Sequence, residues 1–430
     1  MHSFLRIIPF SMLVLVSGRA LAQAPARDTS ALSLTLAQSD ELFLKNNYQL
    51  ILKQYDIDNA RASIITARLF DNPEVSFENV LYNPDSKKVF DMSHNGGQYQ
   101  AQVAQLFRLA GKRNKSVKLA EAGARLPEYE FADLVRTLRF SLHTDFYKIY
   151  YQQRSIAVYD KEISSLQQIL GVFEQQYAKG NIAEKEVLRI KSLLYTLQAE
   201  QSGLYNDLED MLTDFRLLTA TPAGRNIVPQ LTDMDDMRQQ VSSIPYQQLL
   251  DSAIANRSDL KEAKASVDYA GLNLKLQKAN AVPDLTVSAT YDKQGSFLRN
   301  YSGLGVGLPI PLFNRNQGAI KQAKIGIDAS VAAAKSQQLA VENEVSNSYR
   351  SALRLEKLSG DIDPGFGADF SHLIDEVNKN YQKRNISLLE FLDFYDSYKI
   401  NSIQLNTLSL NRLSSLEEIN YVTATPFFNK

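Results

Sequence analysis

The sequence predicts an α+β protein built from two tandem repeats, each a β-hairpin plus long antiparallel helices with coiled-coil spacing, in an exported chain. Three observations predict it. The chain is self-similar at an offset of 203 to 210 residues, apolar periodicity switches within each half from helical to alternating and back, and the first residues have the pattern of a cleaved leader. Composition agrees, since 430 residues with 44% apolar and 22% charged side chains can bury a sizeable core. Lys plus Arg (47) balance Asp plus Glu (48), so the electrostatic footprint of a nucleic-acid binder is missing. Zero Cys excludes disulfides, thiolate metal sites and Cys nucleophiles, and 4 His argue against a histidine-rich metal centre.

Met1 to Arg6 is short and basic, Ile7 to Val16 is apolar, and Ser17 to Ala22 ends in small residues. That is the pattern of a secretory signal peptide over residues 1–22. The apolar run is too short for a spanning helix, which needs about 20 residues. No later segment supplies one, so any membrane insertion of the mature chain has to be by β-strands.

Three matched pairs occur in the same order in both halves. Leu36 to Leu50 resembles Tyr246 to Leu260, and Asn72-Pro73-Glu74-Val75-Ser76 resembles Val282-Pro283-Asp284-Leu285-Thr286. Val103 to Arg113 matches Val306 to Asn316. The clearest pair is Tyr177-Ala178-Lys179-Gly180-Asn181-Ile182 against Tyr381-Gln382-Lys383-Arg384-Asn385-Ile386, with four of six positions identical. Thr221-Pro222-Ala223-Gly224, Pro229 and the acidic stretch Asp233 to Asp236 read as a linker. The repeats are therefore placed at 31–220 and 244–425, with a linker at 221–243.

Each repeat opens with a helix, up to Phe70 or Asn280, broken by Pro73 or Pro283. Two strands of about ten residues follow, with Val75, Phe77, Tyr99, Ala101 and Val103 alternating with polar neighbours in the first repeat. Leu285, Val287, Ala289 and Tyr291, then Leu304, Val306 and Leu308, do so in the second. On pattern alone, a soluble hairpin packed on helices and a bilayer-spanning one both fit. From Lys112 to Tyr177 the spacing is helical, interrupted only at Pro127, a rod of roughly 100 Å. The return helices keep spacings of three and four, through Ile190, Leu193 and Leu197 in one half and Leu388, Phe391, Tyr395 and Tyr398 in the other. Gly360 to Gly367 should break the outgoing helix of the second repeat.

The order helix, strand pair, long helix, tip and return helix, twice behind a leader, resembles the TolC-type outer membrane efflux channels over about Leu34 to Thr425. Its specific carriers are the two Pro-acid strand starts, Gly111-Lys112-Arg113, Leu312-Phe313-Asn314-Arg315 and the two tips. The resemblance implies a homotrimer whose subunits each give four strands to one 12-stranded β-barrel, continued by an α-helical barrel through the periplasm of a Gram-negative cell. Physics requires an oligomer, because four strands cannot close a barrel and open sheet edges are not tolerated in lipid. The resemblance also implies a periplasmic adaptor and an inner-membrane pump, of RND type, as partners. It leans towards the heavy-metal and cation efflux branch, many of whose members carry a lipid-modified Cys that this chain lacks.

In that family acidic residues narrow the periplasmic mouth just after the second tip, and the matching positions are Glu390 and Asp393. Their i, i+3 spacing puts both on one helix face. A trimer would make two carboxylate rings that favour cations. The first repeat keeps Glu186 but has Arg189 in place of the second acid, and Ile386 stands where the family has a basic latch residue. The tips, Tyr177, Lys179, Gly180 and Asn181 with Tyr381, Lys383, Arg384 and Asn385, are the expected adaptor-docking surface. His94, His143 and His372 are isolated in sequence and read as structural or surface residues. No nucleophile elbow or phosphate loop is present, so neither an enzyme nor a cofactor is expected. The expected function is a passive outer membrane conduit of an efflux system for metal ions or small toxic compounds. The alternatives are an exported coiled-coil adaptor or structural protein, and a type I protein secretion channel.

Overall fold

The computed structural model describes residues 31–231, 240–294, 298–363, 365–383 and 385–428. The leader, the acidic stretch Asp233 to Asp236, Pro364 and the tip residue Arg384 lie outside the described residues.

The first half begins with β1 (Leu32–Leu34), α1 (Leu36–Asn46) and α2 (Tyr48–Arg68). The expected single helix is therefore two. Asn47 divides them because its side chain accepts from Gln49 N and Leu50 N (2.9 and 3.1 Å), which makes it the N-cap of α2. Thr35 and Gln38 close a capping box at the start of α1. Strands β2 (Glu74–Asn79), β3 (Tyr82–Asn83), β4 (Lys88–Val89) and β5 (Tyr99–Phe107) follow. At 6 residues β2 is shorter than the expected ten. The small β3–β4 hairpin occupies the loop above it.

Helix α3 (Lys112–Gly123) leads to α4 (Leu126–Ala178), whose 53 residues span about 80 Å. Pro127 sits in the first turn of α4, where its missing N–H costs nothing. Helix α5 (Glu184–Thr219) returns antiparallel to it. Part of the segment expected as linker is ordered sheet, because β6 (Ile227–Pro229) pairs in parallel with β1 and fully buries Ile227. The pairing was hidden by its length, since three residues carry no readable period.

The second half runs α6 (Tyr246–Asn256), α7 (Ser258–Asn280), β7 (Leu285–Gln294), β8 (Arg299–Gly307), α8 (Gln317–Gly360), α9 (Phe366–Gln382) and α10 (Leu388–Thr423). The break between α8 and α9 falls where the glycines placed it. Of the coiled-coil positions, Ile190, Leu197, Leu208 and Phe215 on α5 and Phe391, Tyr395 and Tyr398 on α10 have at most 8% exposure, whereas Leu193 and Leu388 are only partly buried and Leu194 takes the buried place beside Leu193. One apolar cluster joins α4 and α5 to α9 and α10 near the tips, and a second joins α1, α4, α5 and β6. Two buried salt-bridged groups stiffen the middle. Arg257, 2% exposed, pairs with Asp259 and Glu344 at 2.5 Å each, and His143 lies between Asp40 and Glu417.

β2, β5, β7 and β8 form one antiparallel sheet in that order, so the two hairpins meet through β5 and β7. Both helical ends of the sheet lie on one side and both loops on the other. At the helical side, Lys112 Nζ lies 2.7 Å from Asp284 Oδ1, which also accepts from Leu109 N at 2.9 Å. The Gly-Lys-Arg motif of one half thus clasps the Pro-acid strand start of the other. Gly111 precedes α3 at φ 66°, in the left-handed region that glycine adopts at least cost, and Asn316 takes the matching place before α8 at φ 57°.

Candidate functional site

The register sorts the sheet into two unlike faces. Val75, Val103, Ala289 and Leu304 form one cross-strand row, and Phe77, Ala101, Tyr291 and Ser302 the next. The opposite face carries Ser76, Gln102, Thr290 and Gly303, then Glu78, Gln100, Asp292 and Tyr301. Among the described residues none covers the apolar face, with Val75 73% and Leu304 86% exposed. An apolar face this open on a monomer marks an interaction surface. Near its loop end Phe77, Tyr99 and Tyr291 pack ring against ring at 6.0 and 6.1 Å. At its helical end Phe107, Ile310, Leu312 and Phe313 are exposed. From Tyr99 to Phe107 the chain rises about 26 Å, close to the apolar band of about 25 Å on a membrane barrel. The polar face keeps small residues on β8. A Cβ on Gly305 would meet Ser288 Oγ at 2.6 Å, so a larger residue there would have to turn the serine hydroxyl aside. Among the described residues both edges, β2 and β8, are unpaired.

At the far end of the long helices, the two tips make the same turn. Asn181 N donates to Gln176 O (3.0 Å) and Asn181 Nδ2 to Gln176 Oε1 (2.8 Å), and Asn385 repeats both bonds to Asn380 (2.9 and 3.2 Å). This explains why asparagine stands in both motifs. Gly180 takes φ 73° in the first tip. Tyr177, Lys179, Gly180, Asn181, Lys383 and Asn385 are exposed, whereas Tyr381 is only 7% exposed. Tyr381 stacks on Phe391 (4.2 Å) and on Phe173 of α4 (5.9 Å), so it belongs to the packing beneath the tip and not to the exposed docking surface expected of it. Burial, with the Glu186 carboxylate adding to it, raises its phenol above the ordinary tyrosine range. Between the tips lies a cavity of about 820 Å³ lined by Phe173, Ile182, Glu186, Tyr381, Ile386 and Leu388.

Glu390 and Asp393 are both exposed in the first turns of α10. Glu390 has a second task. Its Oε2 accepts from Ser387 N and Ser387 Oγ (2.8 Å each) while Ser387 Oγ accepts from Glu390 N (3.2 Å), a complete capping box. These bonds hold its carboxyl below the usual range. The Ser-x-x-Glu spacing was visible in the sequence and would have identified this role. Ser387→Ala is expected to cost about 1 kcal/mol of helix stability, seen as faster hydrogen exchange of the amides at 389–391. Unchanged exchange would mean that the cap contributes nothing there.

Among the described residues no group of His, Asp and Glu is arranged to hold a metal, and no helix is long and apolar enough to cross a membrane.

Comparison with known proteins agrees with this geometry. The outer membrane efflux protein family matches residues 41–221 and 249–358. The cobalt-zinc-cadmium resistance protein CzcC of Cupriavidus metallidurans is 23% identical over 296 residues, covering 67% of each chain. Among solved structures, CusC superposes with a TM-score of 0.70 at 16% identity, covering 94% of this chain and 95% of CusC. The CmeC outer membrane channel of Campylobacter jejuni superposes with a TM-score of 0.71 at 13% identity, covering 91% and 86%. With a family match over more than half of its length and this shared fold, the chain belongs to the outer membrane efflux proteins, a family of passive channels and not of enzymes.

Proposed function

We propose that the protein is the outer membrane channel of a tripartite efflux system, working as a homotrimer and exporting metal ions or small toxic compounds. The observation that carries this reading is the sheet, with one exposed apolar face, one polar face and two unpaired edges. In lipid those edges require partners. Pairing β8 of one subunit with β2 of the next three times over gives a closed 12-stranded barrel, apolar outside and polar within. The similar order of elements in the two halves supports a tandem duplication with repeats at 31–220 and 244–425. The long helices then extend the barrel into the periplasm of a Gram-negative cell. Tyr177, Lys179, Gly180, Asn181, Lys383, Arg384 and Asn385 offer a basic tip surface to a periplasmic adaptor, with Tyr381 bracing it from below. The adaptor would link the channel to an inner-membrane pump of RND type, which supplies the energy. Similarity to CzcC, a cobalt-zinc-cadmium resistance protein, favours divalent metal cations as cargo, and the acidic pair Glu390 and Asp393 suits a cation path.

The test is single-channel recording of the purified mature protein in planar bilayers. Discrete conductance steps from a particle of three subunits are expected. A water-soluble monomer that never inserts would overturn the channel and support an exported adaptor instead.

A further inference from the structure

The seam between the first helical hairpin and α10 holds a cavity of about 450 Å³. Leu193 and Leu197 of α5 and Leu392 and Tyr395 of α10 supply its apolar lining. Glu162 of α4 also lines it, at a coiled-coil position flanked by the buried Tyr159, Ile163 and Leu166. The residue is 3% exposed, and its Oε1 is buried without a hydrogen-bond partner. A carboxyl in such a place is costly, and a hydrophobic side chain would pack the seam better. Its presence points to something that it holds.

The surrounding charges say what that is. Lys399 Nζ on α10 lies 3.1 Å from Glu200 Oε2 and 3.4 Å from Asp396 Oδ1, so this cation is already shared between two acids. Tyr159 Oη donates to the same Glu200 oxygen at 3.0 Å, and Arg189 of α5 lines the cavity. With Glu162 ionised, three carboxylates face two cations. The site is then one positive charge short of neutrality, in a half-open pocket whose leucines alternate with Ser192, Thr196 and the charged groups. A pocket with a leucine wall and one buried, unpartnered carboxyl among its polar groups has the general build of a small-molecule site.

We propose that this cavity binds a small hydrophobic monoamine, its ammonium group resting on Glu162 and its apolar body against Leu193, Leu197 and Leu392. When the site is empty a proton takes the place of the ammonium. Burial pushes the Glu162 carboxyl up to about 8, against the opposing pull of Lys399 and with Asp396 and Glu200 adding to the rise. Binding of the amine therefore releases this proton, and affinity rises with pH until the carboxyl is ionised on its own. The site lies in the helical wall and requires no conduction, so it stands or falls separately from the channel reading.

Phenethylamine and its uncharged counterpart phenethyl alcohol, titrated calorimetrically into the detergent-solubilised mature protein at pH 6.5, 7.5 and 8.5, test the proposal. Saturable amine binding is expected, tightening by about tenfold between pH 6.5 and 7.5 with release of protons to the buffer. The alcohol should bind at least about tenfold more weakly. Glu162→Gln, which keeps the shape of the side chain, should weaken the amine by a similar factor and remove the pH dependence, while the melting temperature is kept. Glu390→Gln/Asp393→Asn should leave amine binding intact. Equal binding of alcohol and amine, unchanged binding in Glu162→Gln, loss of binding in the Glu390/Asp393 variant, or no saturable amine binding at pH 8.5 would each overturn it.

Discussion

Glu390→Gln/Asp393→Asn is expected to reduce the cation-over-anion permeability of the channel by about threefold to tenfold, with little change in stability. The expectation rests on the proposed trimer, in which the two positions become six carboxylates around one mouth. Removing them removes most of the local negative potential, and the loss should be largest in dilute salt, where the Debye length is about 30 Å. The choice of substitutions follows from the cap. Alanine at 390 would delete both the charge and the bonds to Ser387 Oγ and backbone N, and a changed conductance could then reflect a frayed helix. Glutamine at the third helical position still serves in a capping box, so it separates charge from structure. Single-channel reversal potentials in a salt gradient supply the measurement. Selectivity identical to wild type, with helix exchange rates also unchanged, would remove Glu390 and Asp393 from the pore mouth.

The parts of the fold readable in sequence were those set by local chemistry. Pro73 and Pro283 bar the helices from continuing, and α2 and α7 stop before them, at Arg68 and Asn280, while the tip turns recur because Asn181 and Asn385 make the same two bonds. Alternation in β2, β5, β7 and β8 was legible because one face is apolar over most of its length. What escaped was set by contacts distant in sequence. Lys112 meets Asp284 across 172 residues, and nothing in either motif names the other. The β1–β6 pairing is too short to show a period. Tyr177 and Tyr381 look equivalent in their motifs, yet only Tyr381 is buried, because α9 and α10 lean on Phe173 while the first tip has no such neighbour at Tyr177. The acidic pair was legible as a pair through its spacing and the family resemblance. Its double use of Glu390 was equally legible, in the Ser-x-x-Glu pattern.

His143 carries the second large expectation, and it concerns stability. Isolated in sequence, it is 8% exposed in the fold, with Nε2 3.1 Å from Asp40 Oδ2 on α1 and Nδ1 3.1 Å from Glu417 Oε2 on α10. Arg139, 3.3 Å from Asp40, Tyr147, whose hydroxyl donates to Glu417 at 3.4 Å, and Asn420, whose Nδ2 donates to Glu417 Oε2 at 3.4 Å, also face this cluster. Burial by itself disfavours the imidazolium, but hydrogen bonds and attraction from Asp40 and Glu417 outweigh it and raise the ring to about 9 from 6.5. The folded state then binds a proton that the unfolded state releases between those values. The stabilisation is complete below pH 6.5, fades as the pH rises and is gone above about 9. Its full size is about 3 kcal/mol. Denaturation midpoints of wild type and His143→Gln at pH 6, 7.5 and 9.5 measure it as a difference, which should be largest at pH 6 and shrink by about that amount at pH 9.5. Taking the difference matters because Glu162 titrates in an overlapping window and destabilises both proteins in the same sense as the pH rises. A stability difference between the two proteins that is the same at all three pH values would mean that His143 binds its proton equally well in the folded and unfolded states, and that Asp40 and Glu417 do not favour the imidazolium.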